Sequence, residues 1–346
     1  GPSSRIDSRT SDFLKRFEHK VIEVPSLRRN INPFLDIAAF FRLFLIFRKY
    51  RFDIVHAHTS KGGFLGRAAA WLARIPRIIY MPHGLVFYGY FGNVASRLFL
   101  LAERAAAFFT DRFIALTEME KHDMAVYRIA SENRIEVINS GIDVDYFRNI
   151  RVDAAGKKES LGIEISERIV TMAGRLEPVK GPDLFVESAA VILKEINNVR
   201  FLVVGDGTQR GELESQCGEL GLSDRVVFTG WTESIAEILY ITDVLVLPSR
   251  NEAVGRILLE AGICGVPAVA SRVGGVPEII RDGETGILAE PKDVISFASA
   301  VSSLLLDERK REKMGSAAKQ RIDRMFSTSV MVLDFNALYD NIVQNK

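Results

Sequence analysis

The sequence predicts an α/β protein built from two doubly wound parallel-sheet domains that face a cleft. Three observations support this fold class. The chain has 346 residues, more than a single hydrophobic core ordinarily serves. Short apolar segments alternate with helical stretches along its whole length, as in sheets built by right-handed crossovers. Several segments, such as residues 201–204 and 244–247, are apolar throughout, which is typical of strands covered by helices on both faces.

The strand candidates are short apolar runs bounded by polar or glycine-containing turns. They cover residues 21–24, 53–56, 77–80, 112–116 and 135–138 in the first half, and 169–173, 200–204, 226–228, 244–247, 268–270 and 286–288 in the second. The clearest helical stretches cover residues 34–50, 62–73, 94–109, 182–196, 255–264, 307–325 and 328–343.

A polar, glycine-containing segment at residues 145–158 separates the two strand-rich blocks. We therefore predict a first domain of residues 1–148 and a second of residues 149–325, with a C-terminal helix, residues 326–346, packing back on the first. A doubly wound domain ordinarily opens with a strand and a glycine-rich turn. The chain begins instead with a helix-like stretch, so we expect the first strand–helix unit to be missing.

The composition, 47% hydrophobic and 26% charged, is typical of an ordinary soluble globular protein. There is no run of about 20 apolar residues, so no membrane span is predicted, and no signal peptide is recognisable. Cys217 and Cys264 are too few for a disulfide framework, which favours reduced thiols in a cytoplasmic protein.

Charge is distributed unevenly between the halves. Residues 1–150 carry 22 Lys and Arg against 15 Asp and Glu, although the net charge of the whole chain is only +1. A basic first half favours an anionic partner such as a phosphate or a lipid surface, and ordinary variation between two domains explains the imbalance equally well. Nucleic-acid binding is disfavoured because no dense Lys and Arg tract occurs.

The strongest chemical signal follows the strand that ends near Pro248. A loop leads from this strand into a helix starting near Gly255, and such loops bind ligands in open parallel sheets. The free N–H groups at the start of the helix favour a phosphate. Glu252 and Glu260 would lie about 12 Å apart along a continuous helix, which suits a diphosphate with a sugar at each end. Helix capping by Glu252 and a solvated Glu260 are the structural alternative.

A second strand exit, residues 173–181, reads AGRLEPVKG. Arg175 and Lys180 on this loop could neutralise a diphosphate leaving group. Taken singly, each of them is equally compatible with a surface loop.

Taken together, these segments resemble family 4 of the retaining nucleotide-sugar glycosyltransferases, which have two Rossmann-like domains in the GT-B architecture. The matching stretches are AGRLEPVKG, VVGDGTQRGELE, VVFTGW, DVLVLPSRNEAVGRILLEAGICGVPAVASRVGGVPEII and DGETGILAEPKD, with DIVHAHTSKGGFLGR, YMPHG and VINSGIDVDYF in the first half. They cover nearly the whole chain, and the similar enzymes include those of bacterial capsule and exopolysaccharide assembly.

The resemblance implies the roles of the site residues. Arg175 and Lys180 would bind the donor diphosphate, and Glu252 and Glu260 would be the two ends of the family's E-x7-E motif. The catalytic set would be Arg175, Lys180 and Glu252 together with His83. Further donor-binding positions would be Gly205, Gly207, Phe228, Gly230, Ala253, Val254, Gly255 and Arg256, with Phe228 and Gly230 bordering the nucleobase. Arg256 is a departure, since the family commonly reads EGFG where this chain reads EAVGR.

On the acceptor side, His83 follows a predicted strand and resembles the family histidine that faces the donor sugar. Read alone, it could be an ordinary loop residue. Lys61 and Gly62 open a helix at the same predicted edge. His56 and His58 form a His-x-His pair with no third metal ligand near it in the sequence, which favours a structural role and no metal site.

We therefore predict a metal-independent, retaining hexosyltransferase that moves a sugar from a nucleotide diphosphate donor, with UDP-sugar favoured, to a polysaccharide or lipid-linked saccharide acceptor. No cofactor and no nucleic-acid partner are expected. The alternatives are a nucleotide-sugar 2-epimerase of the same fold and a catalytically inactive binding protein. Residues 34–50, rich in Phe with basic neighbours, favour either a helix lying on an anionic membrane or a buried helix with snorkelling basic residues. The predicted location is cytoplasmic, with possible association with the inner face of the membrane.

Overall fold

The computed structural model describes residues 14–28, 30–85 and 92–344, so the predicted helix-like start of the chain lies outside the described residues. The chain divides into two compact units between Ile138 and Asn139, and residues 344–346 count with the first. Each unit contains one sheet of parallel strands, four strands in the first and six in the second. The predicted class, two parallel-sheet α/β domains, is confirmed.

The strands of the first unit pair in chain order. They are β1 (Ile54–His58), β2 (Arg77–Met81), β3 (Arg112–Ala115) and β4 (Ile135–Val137). The helices of this unit are Pro33–Tyr50, Ser60–Leu72, Asn93–Ala106 and Glu118–Val126, with 3-10 turns at Glu18–Lys20, Ala107–Phe109 and Glu132–Arg134. The strand predicted at residues 21–24 is wrong. These residues belong to no strand, and Val21 and Ile22 are exposed, so this apolar run has no sheet to pack into.

A buried ion pair ties the helices of the first unit to its sheet. Arg67 is fully buried, and its Nη2 atom lies 2.7 Å from Oε2 of Glu103. The hydroxyl of Tyr80 on β2 donates to Oε1 of the same carboxylate at 2.9 Å. The guanidinium of Arg67 also stacks over the Tyr80 ring, 3.5 Å from its centroid. The charge of Arg67 is thus compensated where water is excluded.

The second unit is doubly wound. Its strands are β5 (Arg168–Ala173), β6 (Val199–Val204), β7 (Val226–Gly230), β8 (Val244–Leu247), β9 (Ala268–Ser271) and β10 (Gly286–Ala289). Their order across the sheet is β10-β9-β8-β5-β6-β7. The chain therefore starts in the middle of the sheet, builds outward to β7, and then returns to build the other half from β8.

Helices precede, separate and follow the strands of this second sheet. They are Val144–Asn149, Ala154–Ser160, Pro182–Ile192, Arg210–Glu219, Ile235–Leu239, Arg256–Ile263, Val276–Ile279, Val294–Leu306, Glu308–Met325 and Thr328–Gln344, with a 3-10 turn at Pro178–Lys180. Between them and the strands lies a core of fully buried side chains, among them Phe185, Phe201 and Phe297. Cys217 and Cys264 are free thiols. Within the described ranges, no helix has the length and apolar character needed to cross a membrane.

The segment before the last helix contacts the start of the second unit. The N–H of Ile142 donates to the carbonyl of Phe326, and the N–H of Thr328 donates to the carbonyl of Ile142, both at 2.9 Å. The division after Ile138 falls ten residues before the predicted domain boundary at residue 148. That boundary, and the packing of residues 326–346 on the first domain, stay predictions.

Candidate functional site

The strand order of the second unit reverses between β5 and β8, which are neighbours in its sheet. Such a reversal is a topological switch point, and doubly wound sheets bind their ligands there, outside the carboxyl ends of the strands. The loop after β5 carries Arg175 and Lys180, and the loop after β8 carries Glu252. Sequence motifs from two separate regions therefore meet at one topological position.

Lys180 and Glu252 form an ion pair across this position, with side chains only 19% and 12% exposed. The hydroxyl of Ser249 donates to the same carboxylate oxygen at 3.1 Å. Because water is partly excluded, the charges interact more strongly than on an open surface. A cation and a carboxylate, the groups that suit a phosphate and sugar hydroxyls respectively, are thus held side by side.

The two loops are fastened together by further contacts. Gly181 has a φ of 65°, and a Cβ atom there would lie 2.2 Å from the carbonyl oxygen of Pro248, so only glycine permits this approach. The N–H of Arg250 donates to the carbonyl of Val179 at 2.8 Å. The guanidinium of Arg250 also forms an ion pair with the carboxylate of Asp183. These contacts hold the turn that carries Lys180.

Glycines at the carboxyl ends of β6 and β7 bring neighbouring backbone segments into contact. Gly205 has a φ of 128°, and a Cβ atom there would lie 1.9 Å from the carbonyl oxygen of Gly174. The N–H of Gly205 donates to the carbonyl of Gly230 at 2.8 Å. The N–H of Gly207 donates to the Asp206 side chain at 2.9 Å. These contacts explain the glycines structurally, and their contact with a donor stays a prediction.

The helix Arg256–Ile263 begins next to Glu252. Its N-cap is Gly255, with a left-handed φ of 71°, and no side chain caps it in the described part of the chain. The first N–H groups of such a helix are available to an anion. A Cβ atom on Gly255 would lie 3.2 Å from Cγ of Glu252, so the carboxylate side chain and the start of the helix are in contact. The predicted helix start near Gly255 is confirmed.

Glu260 lies one turn further along this helix and is largely buried. Burial raises the pKa of its carboxyl above the ordinary value, and Arg256 one turn earlier partly counteracts that rise. A carboxylate in this environment gains from hydroxyl donors, which replace the hydrogen bonds to water that it has lost. Arg256 itself is exposed at the first position of the helix.

Arg175, Phe228, Ala253 and Val254 differ in what they can offer a ligand. Arg175 is exposed on its loop, whereas Phe228 is half-buried and packs against the core of the second unit. The side chain of Val254 is buried and Ala253 is half-buried, so contacts from Val254 to a ligand would come from its backbone. The predicted place of Phe228 beside a nucleobase stays a prediction.

In the first unit, the fold gathers three histidines at the carboxyl ends of β1 and β2. Nδ1 of His58 lies 3.0 Å from Nε2 of His83, and the rings of His56 and His58 have centroids 4.0 Å apart. His83 comes close to the His-x-His pair because parallel neighbouring strands bring their ends to the same edge of the sheet. In the described ranges, no group of three or more His, Cys, Asp or Glu could hold a metal ion.

The surroundings of His56 and His58 favour the neutral form of both rings. Burial, followed by the neighbouring His58 and His83, lowers the pKa of His56 to about 3. Burial, followed by His83, also lowers the pKa of His58. His83 adopts a left-handed φ of 58°, and the next residue, Gly84, donates its N–H to the buried Glu120 at 2.9 Å. The turn that carries His83 is therefore held in place.

Comparison with known proteins identifies the family. A family model described as Glycosyl transferases group 1 matches residues 154–321, and one described as Glycosyltransferase Family 4 matches residues 6–146. The Escherichia coli protein named UDP-Gal:alpha-D-GlcNAc-diphosphoundecaprenol alpha-1,3-galactosyltransferase is 31% identical over 326 residues, which is 93% of this chain and 84% of that protein. The chain belongs to glycosyltransferase family 4.

Two further comparisons agree with this assignment. The capsular polysaccharide biosynthesis glycosyltransferase CapM of Staphylococcus aureus is 26% identical, over 96% of this chain and 88% of that protein. The solved structure of Anabaena HepE in complex with UDP-glucose superposes with a TM-score of 0.83 at 22% identity, covering 97% of this chain and 90% of that one. The family 4 glycosyltransferase therefore has the GT-B fold.

The acceptor-side residues predicted for this glycosyltransferase include two at the start of the helix Ser60–Leu72. Lys61 forms an ion pair with Asp36, and its Nζ atom donates to the carbonyl of Asn30 at 2.6 Å. Gly62 is half-buried in the first turn. Lys61 thus joins two helices, and its contact with an acceptor stays a prediction.

Sequence reasoning about the glycosyltransferase missed Ser249, Arg250 and Asp183 beside the Lys180 loop, and His58 beside His83. Ser249 and Arg250 lie in the loop that follows β8, and Asp183 lies in the first turn of the next helix after Lys180. Their position after a strand could therefore have identified Ser249 and Arg250 from the sequence. The partners of Asp183 and His58 depend on contacts between distant parts of the chain.

Proposed function

We propose that this family 4 glycosyltransferase transfers a sugar from a UDP-sugar to a saccharide acceptor, with retention of configuration at the anomeric carbon. The observation that carries the proposal is the pairing of Lys180 with Glu252 at the switch point, beside the start of the helix Arg256–Ile263. The name of the Escherichia coli relative includes UDP-Gal, and Anabaena HepE was solved with UDP-glucose. Both support a uridine nucleotide as the donor.

The donor is proposed to lie at this switch point, against the two loops outside the carboxyl ends of β5 and β8. Its diphosphate is placed at the uncapped start of the helix Arg256–Ile263, with Arg175 and Lys180 as counter-charges. Glu260, whose buried carboxyl gains from hydroxyl donors, is placed against the ribose. Glu252 accepts hydrogen bonds from the sugar to be transferred.

The transfer step is proposed as a front-face displacement. The bond between the anomeric carbon and the diphosphate oxygen breaks, and its electron pair stays on the diphosphate. The acceptor hydroxyl attacks from the same face, and its proton passes to the leaving phosphate oxygen. Negative charge grows on the diphosphate, so Lys180, Arg175 and the helix dipole stabilise the transition state by several kcal/mol. These groups supply the positive charge, and the proposal assigns no role to a metal ion or a cofactor.

The acceptor is proposed to be a polysaccharide or a lipid-linked saccharide. The Escherichia coli relative is named for a diphosphoundecaprenol-linked acceptor, and CapM for capsular polysaccharide biosynthesis. His83, at the exit of β2, is proposed to face the transferred sugar, with Lys61 and Gly62 on the acceptor side. A lipid-linked acceptor would place the enzyme at the inner face of the cytoplasmic membrane, where the helix Pro33–Tyr50 is the proposed contact.

Thermal unfolding with UDP, GDP, ADP and NAD tests the donor site. A ligand that binds only the folded protein raises its melting temperature. We expect UDP to give the largest rise and Glu260→Ala to reduce it, whereas Glu312→Ala, at an exposed position of the same unit, leaves it unchanged. Equal shifts with all four nucleotides would contradict the proposal.

Two further experiments test the alternative functions. Incubating UDP-sugars without acceptor and analysing for an epimer distinguishes a transferase from a 2-epimerase. UDP binding without turnover on any acceptor would indicate an inactive binding protein.

A further inference from the structure

The helix Asn93–Ala106 carries an apolar stripe on its outer side. Val94, Leu98 and Leu101 are 75%, 62% and 58% exposed. Their spacing of four and three residues places them on one face of the helix. The opposite face is used for packing, since Glu103 is buried and Leu100 packs against the core of the first unit. The stripe is therefore not needed for folding of the unit.

The helix Pro33–Tyr50 has the same arrangement. Phe34 is 87% and Leu45 is 64% exposed, and Ile37 and Phe41 are exposed between them. Its other side carries the fully buried Ala39 and packs on the core of the first unit through Phe47. An apolar helix that keeps large side chains in water on one face indicates an interaction surface.

Both helices belong to one layer. Ser60–Leu72 connects β1 to β2 and Asn93–Ala106 connects β2 to β3, so right-handed crossovers place these two helices on the same face of the sheet. The helix Ser60–Leu72 packs against both Pro33–Tyr50 and Asn93–Ala106. At its end, Trp71 is exposed, and so is Phe108 in the turn after Asn93–Ala106. The apolar surface thus extends across neighbouring helices.

The charges around this surface are basic. Arg42, Arg48 and Lys49 are exposed on the first helix, and Arg97 and Arg104 on the second. The acidic residues of the two helices are engaged elsewhere: Asp36 pairs with Lys61, and Glu103 pairs with the buried Arg67. Exposed apolar residues flanked by basic ones suit the surface of an anionic bilayer.

A second copy of this chain fits the surface less well. In a twofold contact the same patch meets itself, so the basic residues of one copy would approach those of the other. The two helices of the first unit differ in this respect from Glu308–Met325 of the second unit. That helix exposes charged residues of both signs, including Arg309, Glu312 and Lys313.

We propose that Pro33–Tyr50 and Asn93–Ala106 together form a two-helix surface that lies on an anionic lipid bilayer. The inference rests on the membrane contact in the proposed function, and it adds the second helix and the preference for anionic lipid. Binding through two helices constrains the orientation of the first unit on the membrane, which a single helix leaves free to rotate about its axis.

Flotation of the full chain with vesicles tests this inference. Binding is measured on phosphatidylcholine vesicles with and without phosphatidylglycerol. The double variants are Leu98→Ser/Leu101→Ser and Phe34→Ser/Leu45→Ser, and the matched control is Ile295→Ser/Leu306→Ser. The control removes two exposed apolar side chains from a helix of the second unit. We expect binding to require phosphatidylglycerol, and each of the first two variants to lower the partition coefficient by about tenfold or more. We expect the control to bind vesicles as strongly as the original chain does. Stabilisation by UDP, which all variants should retain, tests whether each variant is folded.

The outcomes separate this inference from the proposals on which it rests. Loss of binding only in Phe34→Ser/Leu45→Ser overturns the two-helix surface and leaves a single-helix contact. Unchanged binding in both variants overturns membrane contact through this layer, while the donor site is judged separately by stabilisation with UDP. Binding to pure phosphatidylcholine at the same level overturns the preference for anionic lipid. If light scattering shows a dimer that Leu98→Ser/Leu101→Ser dissociates, and vesicles are not bound, the surface is a protein interface instead.

Discussion

Lys180 and Glu252 form an ion pair between two loops that leave neighbouring strands of one sheet. The two residues are far apart in the sequence, and each belongs to a motif that could be recognised alone. Their contact shows that the AGRLEPVKG loop and the start of the E-x7-E motif lie side by side at the carboxyl ends of β5 and β8.

Replacing Lys180 by Ala should lower kcat by roughly 100- to 1,000-fold, the usual effect of removing one group that stabilises developing charge. The affinity for UDP, measured by calorimetry, should fall by a much smaller factor, because charge on the leaving group is greatest in the transition state. Arg175→Ala should act in the same direction. Lys313→Ala, at an exposed position of the same unit, is the control. Turnover equal to that of the original chain in both variants would refute this role.

Arg250→Ala should raise KM for the donor about tenfold, because the turn carrying Lys180 loses the guanidinium's hydrogen bond to the carbonyl of Pro178 and its ion pair with Asp183. The ion pair with Asp183 is about one-third exposed, so the loss of stability should be about 1 kcal/mol or less. Arg148→Ala, which breaks the similarly exposed pair with Asp323, should cost comparable stability and leave KM unchanged. Steady-state kinetics and urea unfolding measure both effects. A KM shift of equal size in the two variants would show that Arg250 acts through general stability alone.

His58 should act as a positioning residue for His83. The two rings share one hydrogen bond, in which one nitrogen donates and the other accepts. His58→Ala removes this contact and should lower kcat several-fold, whereas His58→Asn keeps a polar atom near Nδ1 and should retain most of the activity. Long-range 15N NMR of the five histidines would show the His83 tautomer changing in His58→Ala. An unchanged His83 spectrum in that variant would argue against the positioning role, whatever the kinetics.

Acid should destabilise the protein through His56. Its folded pKa is about 3 against an ordinary value of 6.5, so its neutral form is favoured by folding. The stability it contributes is complete above pH 6.5 and is lost as the pH falls from there toward 3. At pH 5 the loss should be about 2 kcal/mol. His56→Asn should flatten the dependence of unfolding free energy on pH, and the exposed His122→Asn should not. Parallel curves for all three proteins would count against this assignment.

Glu103→Gln should destabilise the protein by about 3 kcal/mol. The substitution keeps the shape of the side chain but leaves the fully buried Arg67 without its counter-charge. Glu118→Gln, at a surface pair in the same unit, should change stability by less than about 0.5 kcal/mol. Urea denaturation compares the two. Equal effects would mean that Arg67 is neutralised by another route.

The sequence by itself determined the local features of this protein. The strands around Phe201 and Val246, the helix that begins at Arg256 and the strand exits that carry Arg175 and Glu252 were all predictable. Apolar runs, glycines and helix starts are encoded by residues close together in the chain, and each sets the conformation of its own segment. The strand predicted at residues 21–24 failed because an apolar run forms a strand only where a neighbour exists to pair with it.

The tertiary structure decided which of these segments meet. The reversal of strand order between β5 and β8, the pairing of Lys180 with Glu252 and the contact of His58 with His83 each join residues from separate strands or loops. The outward direction of the stripe containing Leu98 likewise depends on which face the neighbouring helix covers. Such contacts form only when distant segments pack together. Burial of apolar surface drives this packing but is non-directional, so the local sequence of a segment does not specify which other segment it contacts.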